Sequence, residues 1–410
     1  MDGRVADGTM ATLIKKQSTF DRFGPSILAK TMRGQSRRIQ IPSDRLEARK
    51  LLREKCPLVP GVYGWLDPQR QLIYVGKSKS LCKRLLSYFA KNPSDNKMDR
   101  IRQHSETIVW EPISHELLAL LREQELIHRW RPEFNSMGQP TRMQPAFLCI
   151  AGSPEPNGRV TRQLNGNFHH AFGPISGTKR LRAAIVSLNQ IFRLRDCPDK
   201  TKFEFQSQKL LFDDPANAKC IRHELGSCPA PCAGMCTSSE YLSLVANAVQ
   251  FLEGKDKTTL QTIEKRMREA ANREAYETAA IYRDCLLHLS WLDRRLTGLR
   301  LADQGLNGIL NIEARRNRPG WMILRGGRIV STTLKPKSTE SAIQTMKSIA
   351  AVKHQLPDLP GTLLEMSLQL IIMAWFRKNP QLKKKLMPFD QAEAHCQQIL
   401  NPCQNLPESA

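Results

Sequence analysis

The chain has 410 residues, with 62 Lys and Arg against 39 Asp and Glu, giving a formal net charge of +23. This length allows several domains, and the positive excess favours a polyanionic partner, most simply nucleic acid or an anionic membrane. The membrane alternative is weak, because the most apolar late stretch, residues 363–376, contains Glu365 and Gln369 and is too short to span. We expect a cytoplasmic protein, since no charged-then-apolar leader begins the sequence. Eleven cysteines then favour metal or cluster ligation, or buried thiols, over disulfides.

Composition and periodicity predict an α+β multidomain protein. Its parts follow one another without an internal repeat or a low-complexity segment. The predicted order is a basic flexible arm (1–55, with one helix over 43–55), a compact α/β unit (56–140), a cysteine-rich module (141–240), a helical region (241–300), a small β unit (301–338) and a helical tail interrupted by prolines (339–410).

Residues 60–81, PGVYGWLDPQRQLIYVGKSKSL, predict a β-hairpin with one tyrosine on each strand. Tyr63 lies on the first strand, Tyr74 on the second, and residues 67–70 form the loop. The second strand ends in Gly76-Lys77. A purely structural interpretation exists, because tyrosine suits half-buried strands and Gly-Lys is an ordinary strand exit.

Charged and phenolic side chains follow the hairpin on two predicted helices. Arg84 and Tyr88 are four residues apart on a helix over 80–90 and therefore share a face. Glu123 lies on a later helix over 116–130, and Asn135 follows the Arg131-Pro132 stop. Phosphodiester hydrolysis needs a cation on the scissile phosphate, activation of water and support for the leaving oxygen. One Glu-bound Mg²⁺, one Arg and a tyrosine pair would supply these roles, although such charges can also be solvated helix residues.

The triplets Gly61-Val62-Tyr63 and Tyr74-Val75-Gly76 resemble the two halves of the GIY-YIG nuclease motif. With the residues that follow, the stretch is similar to the N-terminal domain of the UvrC family of excision-repair nucleases. The resemblance implies a small antiparallel sheet flanked by helices, with a single Mg²⁺ or Mn²⁺ on Glu123. It implies that Arg84 stabilises the developing charge and that the two tyrosines activate or position water. The other implied site residues are Lys77, which would also contact DNA, Tyr88 and Asn135.

The run CIRHELGSCPAPCAGMC, residues 220–236, concentrates four thiols, and Cys197 lies upstream. Four thiolates suit either tetrahedral Zn²⁺ or an iron–sulfur cluster, and this spacing is neither that of zinc ribbons nor that of bacterial ferredoxins. Buried thiols without a metal are the structural alternative. The run resembles the cysteine region of UvrC, which implies a 4Fe–4S cluster, with Zn²⁺ as the alternative. Cys236 is extra to that pattern and leaves the fourth ligand open. The implied ligands are Cys197, Cys220, Cys228 and Cys232.

Residues 172–177, FGPISG, resemble a Gly-Pro turn of the same family. A basic helix is predicted directly after them, over 179–192. It carries Lys179, Arg180 and Arg182, which are suited to contacts with DNA phosphates.

Residues 262–289 predict a helical hairpin that breaks near Asn272-Arg273. The second helix resembles the UVR motif, which implies docking on a matching hairpin of a UvrB-like helicase subunit. The motif also occurs in unrelated protease adaptors, so it supports a protein partner more firmly than it identifies one. The predicted partner-binding residues are Tyr276, Ala279, Ala280 and Arg283.

Taken together, these features predict a UvrC-like, metal-dependent endonuclease of nucleotide excision repair that acts on damaged double-stranded DNA. By resemblance, the cut would fall on the 3′ side of damage. Residues 335–410 are too few for the second, RNase H-like nuclease of the family, so one catalytic set is expected. Two alternatives are a non-catalytic repair adaptor that acts through the UVR hairpin and a lesion-independent GIY-YIG nuclease.

Overall fold

The computed structural model describes residues 19–26, 36–90, 96–113, 115–135, 144–152, 156–164, 166–197, 201, 205, 220–314, 318–354 and 359–401. Contacts divide the chain into two units, the first mostly residues 1–139 and the second mostly residues 140–410. None of the helices in the described part of the chain is long and apolar enough to cross a membrane.

The first unit is a four-stranded antiparallel sheet with helices packed against it. The strand order is β1-β4-β2-β3, so β3 is an edge strand next to the central β2. Ile39, Leu52 and Trp65 are buried in one apolar core of this unit. The elements are β1 (Arg37–Gln40), α1 (Arg45–Lys55), β2 (Gly61–Leu66), β3 (Leu72–Ser78), α2 (Leu81–Ser87), α3 (Asn96–Gln103), β4 (Thr107–Pro112) and α4 (Glu116–Trp130).

The prediction of a basic flexible arm over residues 1–55 is wrong for the part that the structure describes. β1 pairs along β4 as the outer strand of the sheet, and α1 packs on the core through Ala48 and Leu52. Only the helix within the arm was expected. Ile39 and Leu52 anchor this segment in the core, because burial of apolar side chains is favourable and both are almost wholly buried. Residues 1–18 and 27–35 lie outside the described residues.

A buried cluster of charges attaches residues 19–26 to α4. Arg122 has no exposed surface and lies 3.1 Å from the Glu111 carboxylate and 2.9 Å from that of Glu125. Its guanidinium also donates to the carbonyl of Gly24. Arg129 lies 2.8 Å from Glu125 and donates to the carbonyls of residues 23 and 25. Because a buried charge is costly unless paired and hydrogen-bonded, removing one member should destabilise the first unit strongly.

The second unit contains two three-stranded sheets and most of the described helices. The sheet orders are β6-β5-β7 and β10-β9-β8. Gly326 and Gly327 form the turn before β10 with positive φ angles. The elements are β5 (Ala146–Ala151), β6 (Gly158–Thr161), β7 (Phe168–Ile175), α5 (Thr178–Ile191), α6 (Ile221–Glu224), α7 (Ser238–Leu252), α8 (Thr259–Asn272), α9 (Tyr276–Gly305), β8 (Gly308–Ala314), β9 (Arg318–Arg325), β10 (Arg328–Leu334), α10 (Thr339–Lys353), α11 (Leu363–Lys378) and α12 (Phe389–Leu400).

Helices α8 and α9 form the predicted hairpin, with the break at Arg273–Ala275. Glu274 adopts a left-handed conformation there, with φ of 57°. Ile263 and Ala270 of α8 face the core and are buried. Near the start of α9, in contrast, the ring of Tyr276 is 68% exposed. Cys285 and Leu289, later on α9, are buried in the same core as Ile263, so the hairpin packs through both helices and leaves the start of α9 open to solvent.

Candidate active site

Three side chains from β2 and α2 form a hydrogen-bonded group in the first unit. Tyr63 on β2 and Tyr88 at the end of α2 are each 1% exposed, and their hydroxyl oxygens lie 3.1 Å apart. The Nε atom of Arg84 donates to the Tyr63 hydroxyl across 3.1 Å. The sequence predicted Arg84 and Tyr88 on one helix face, and the structure brings that face to the first tyrosine of the hairpin.

The second tyrosine, Tyr74, lies beside this group on β3. Its ring centroid is 6.1 Å from that of Tyr63, and its side chain is partly exposed. Burial raises the pKa values of Tyr74 and Tyr88, as does the neighbouring Tyr63. Both hydroxyls therefore keep their protons near neutral pH. Gly76 makes the arrangement possible, because it pairs with Tyr63 across the strands and a Cβ there would lie 2.6 Å from the Tyr63 ring.

Glu123 reaches the same place from α4. Its Oε1 atom accepts a hydrogen bond of 3.0 Å from the backbone N–H of Lys77 at the end of β3. Burial raises the pKa of Glu123 to about 7, and the charges of Lys77 and Arg84 oppose that rise. Arg84 and Glu123 are thus close enough to interact electrostatically. The structure unites the cation and the carboxylate that the sequence placed on separate helices.

Glu123 is a lone carboxylate rather than part of a dense ligand set. In the described part of the chain, no three His, Cys, Asp or Glu side chains form a group that could hold a metal ion. Magnesium, however, is commonly held by one or two carboxylates, with waters and substrate phosphates completing its shell. A partly buried carboxylate beside Lys77 and Arg84 therefore fits a single Mg²⁺ or Mn²⁺ that shares its coordination with a phosphate.

Both the oxygen and the nitrogen of the Asn135 side-chain amide form hydrogen bonds with the backbone of β3. Its Nδ2 donates to the carbonyl of Val75 at 2.8 Å, and its Oδ1 accepts from the Val75 N–H at 2.9 Å. The side chain is 6% exposed. Asn135 was predicted to complete the site, and this geometry makes it a positioning residue that fixes the strand between Tyr74 and Lys77.

Lys97 is a cation near the site that the sequence did not predict. Its ammonium lies 5.3 Å from the centroid of the Tyr74 ring. It belongs to α3, a helix of eight residues that was not anticipated between α2 and β4. An ion pair between Asp99 and Arg102 at i,i+3 is one local signal, and it is too weak by itself to predict a helix.

The four predicted cluster ligands lie near one another in the second unit but do not form a coordination set. Burial raises the pKa of Cys228 to about 11, and Cys197, Cys232 and Cys220 raise it further. Cys232 is affected in the same way by Cys220 and Cys197. The thiols are therefore neighbours, but in the described part of the chain they do not form a group that could hold a metal ion. The arrangement does not support the predicted iron–sulfur cluster. Cys236 is 4% exposed and packs in the apolar core.

The predicted binding residues outside the first unit lie on two helices. Lys179, Arg180 and Arg182 are all exposed along the start of α5. On α9, Ala279 and Ala280 are partly buried, while Arg283 is exposed and forms an ion pair of 2.8 Å with Asp284.

Comparison with known protein families assigns three consecutive segments of the chain. Residues 59–136 match the UvrC-like GIY-YIG domain. This part of the chain is a GIY-YIG nuclease domain. Residues 147–251 match the middle domain of the UvrC/Cho excinucleases, and residues 257–290 match the UvrB/UvrC motif. The GIY-YIG match contains every residue predicted for the nuclease site.

Several relatives of this chain are named UvrABC system protein C. That of Methylobacillus flagellatus is 28% identical over 70% of this chain and 47% of its own length. That of Leptospira biflexa is 31% identical over 66% of this chain and 43% of its own length. The chain thus spans less than half the length of these curated relatives. One solved structure is the GIY-YIG N-terminal endonuclease domain of UvrC from Thermotoga maritima, bound to its catalytic divalent cation magnesium. It is 34% identical to this chain and has a TM-score of 0.19. The match covers 21% of this chain and 97% of that domain.

Proposed function

We propose that this protein hydrolyses a phosphodiester bond of damaged double-stranded DNA during nucleotide excision repair, on the 3′ side of the lesion. The observation that carries the proposal is the convergence of Arg84 and Glu123. Arg84 is oriented by Tyr63, and its charge acts on the Glu123 carboxylate. Oriented cations aimed at developing charge are the largest single contribution in many transfer reactions.

Each side chain of the site has a role that follows from its surroundings. Arg84 would bind the non-bridging oxygens as negative charge develops, and Tyr63 would hold the guanidinium in place. Tyr74 is the tyrosine that would contact the attacking water, because Tyr63 and Tyr88 are almost wholly buried. Lys77 would bind the phosphate. Glu123 would hold Mg²⁺ or Mn²⁺, which supplies Lewis-acid polarisation and a more acidic water when bound.

A protein partner would present the damaged strand to this site. The exposed ring of Tyr276 and the exposed Arg283 are available on α9, next to two small alanines that allow another helix to approach closely. We propose that this surface docks a UvrB-like helicase subunit. A non-catalytic adaptor would need the same surface but would have no need for Arg84 and Glu123 in one place.

Cleavage of a lesion-bearing duplex, with the partner present and with the metal titrated, tests the proposal. Arg84→Ala and Glu123→Ala should each lower the cleavage rate about 10²–10³-fold, the usual cost of one such donor or ligand, and leave DNA binding intact. Arg102→Ala, which removes an arginine of a surface pair on α3, is the matched control and should cut normally. Rates above about a tenth of wild type for either site variant would exclude the assigned roles.

A further inference from the structure

The second unit contains an open cavity of about 400 Å³ bounded by α5, α9 and α11. Four arginines line it, and no acidic side chain does. They come from three helices that are distant in sequence: Arg180 from α5, Arg294 and Arg295 from α9, and Arg377 from α11. Three of the four lie outside the segments that the family comparisons match.

The positive charge of the cavity has no protein counterpart in the described residues. All four arginines are exposed, and none takes part in an ion pair within that part of the chain. Asp293 is next to them in sequence, but it pairs with Arg300 at 3.1 Å instead. Four neighbouring cations repel one another, and a bound polyanion would relieve that repulsion.

The lining of the cavity is also aromatic and apolar. Trp291 lies there, with the Arg295 guanidinium 5.6 Å from its ring centroid. Met373 and Leu370 complete the wall, and at Gly298 a Cβ would meet nothing within 4 Å. The cavity lining thus combines four cations with an aromatic ring and apolar side chains.

We infer that this cavity binds one nucleotide of a DNA strand, with phosphates on the arginines and the base against Trp291. Cationic grooves that carry an aromatic platform are the usual chemistry for single-stranded nucleic acid. The inference rests on the proposed function for its choice of DNA. A strand is favoured over a free nucleotide because Arg180 continues into the exposed Lys179 and Arg182 of α5, where neighbouring phosphates can lie.

The test is fluorescence anisotropy of a labelled single-stranded oligonucleotide with the full chain in EDTA, over a series of salt concentrations. Arg294→Gln with Arg377→Gln should lower the slope of log K against log salt by roughly 1.4, two contacts at about 0.7 each, and weaken binding about tenfold at low salt. The matched control is Arg266→Gln with Lys347→Gln, which removes the same charge from exposed positions on α8 and α10 and should leave the slope unchanged.

Two further variants change the shape or the aromatic wall of the cavity and leave its charge unchanged. Gly298→Leu fills the cavity while favouring the helix, and Trp291→Leu removes the platform; each should weaken strand binding several-fold without changing the salt slope. Thermal unfolding checks that each variant is folded. Equal salt slopes for the Arg294→Gln, Arg377→Gln double variant and its control double variant would overturn the inference. The inference would also fail if the protein bound ATP at micromolar concentration and the same double variant lost ATP binding but kept strand binding, since the site would then belong to a free nucleotide. Because no cutting is measured, failure of the cavity and failure of the nuclease are distinguishable.

Discussion

The Nε atom of Arg84 donates a hydrogen bond of 3.1 Å to the hydroxyl of Tyr63. This contact joins the helix after the hairpin to the central strand of the sheet. Because the Tyr63 hydroxyl also lies 3.1 Å from that of Tyr88, the acceptor of the Arg84 hydrogen bond is itself held in place before any substrate binds. Preorganisation of this kind removes the reorganisation that a mobile arginine would need during the reaction.

Tyr63→Phe should therefore slow the chemical step although the ring stays packed. The variant loses the acceptor for Arg84, and a misplaced catalytic group can cost about 10²-fold in rate. Single-turnover cleavage measures this loss, and DNA affinity should not change. Tyr282→Phe removes a hydroxyl from a tyrosine on α9 and serves as the control. An unaltered single-turnover rate in Tyr63→Phe would show that Arg84 needs no support from this hydroxyl.

The stability of the metal-free protein should depend on pH through Glu123. Burial raises the pKa of this carboxyl from 4.5 to about 7 in the folded state. A group whose pKa is raised by folding stabilises the fold at low pH, and its contribution is lost as the pH rises through the folded value. The unfolding temperature in EDTA should therefore fall between pH 4.5 and pH 7, and Glu123→Gln should show a smaller fall.

Thermal unfolding of Glu116→Gln provides the control for that experiment. Glu116 is on the same helix and lies 3.0 Å from the Lys79 ammonium, so its removal tests the effect of losing any α4 carboxylate. The same pH dependence in wild type and Glu123→Gln would contradict the assignment of a buried, poorly solvated Glu123.

The sequence predicts an element of this fold well when the signal for that element lies in its own residues and their neighbours. Helix α4 has its predicted limits, Glu116 and Trp130, because its apolar periodicity is regular and Pro132 follows. Strand β1 was missed because it has four residues and is defined by pairing with a strand about 70 positions later, at Thr107. Short strands that depend on distant partners carry little local signal.

The chemical environment of single side chains is harder still to predict. From the sequence alone, Arg122 looks like a solvated arginine on a helix surface. Only the tertiary fold places Glu111 and Glu125 beside it. Asn135 was predicted as a site residue, but a residue list cannot show that its amide is committed to the backbone of Val75. Tyr63, Arg84 and Glu123 do come together, because they lie on a strand and two helices packed against one sheet.

The cysteine region makes a separate prediction about metal content. The resemblance implies about four irons per chain after anaerobic purification, lost in Cys228→Ser or Cys232→Ser, whereas the arrangement of the described thiols predicts protein without a cluster. Cys396→Ser is the control, because that thiol is on α12 and is buried in an apolar core. Cys236→Ser should also retain the iron, since Cys236 packs in a core. Stoichiometric zinc without iron would contradict the cluster.

Docking of the partner should depend on the exposed start of α9. Tyr276→Asp with Ala280→Asp places two carboxylates in the proposed seam, where burial of a charge without a partner is costly. We expect weaker binding of a UvrB-like subunit in calorimetry and unaltered metal-dependent cutting of pre-opened DNA. Leu301→Asp changes another exposed apolar residue of α9, 57% exposed, and should bind normally. Equal affinity of the double variant and wild type would place the partner elsewhere.

Incision of a lesion-bearing duplex, labelled at either end, tests the central claim most directly. With the partner and Mg²⁺ present, we predict a nick on the 3′ side of the lesion that disappears in EDTA and in both Arg84→Ala and Glu123→Ala. A nick that persists in those variants would contradict the account, because the cut would then come from another site. Equal cutting of damaged and undamaged duplex, with or without the partner, would instead identify a lesion-independent nuclease.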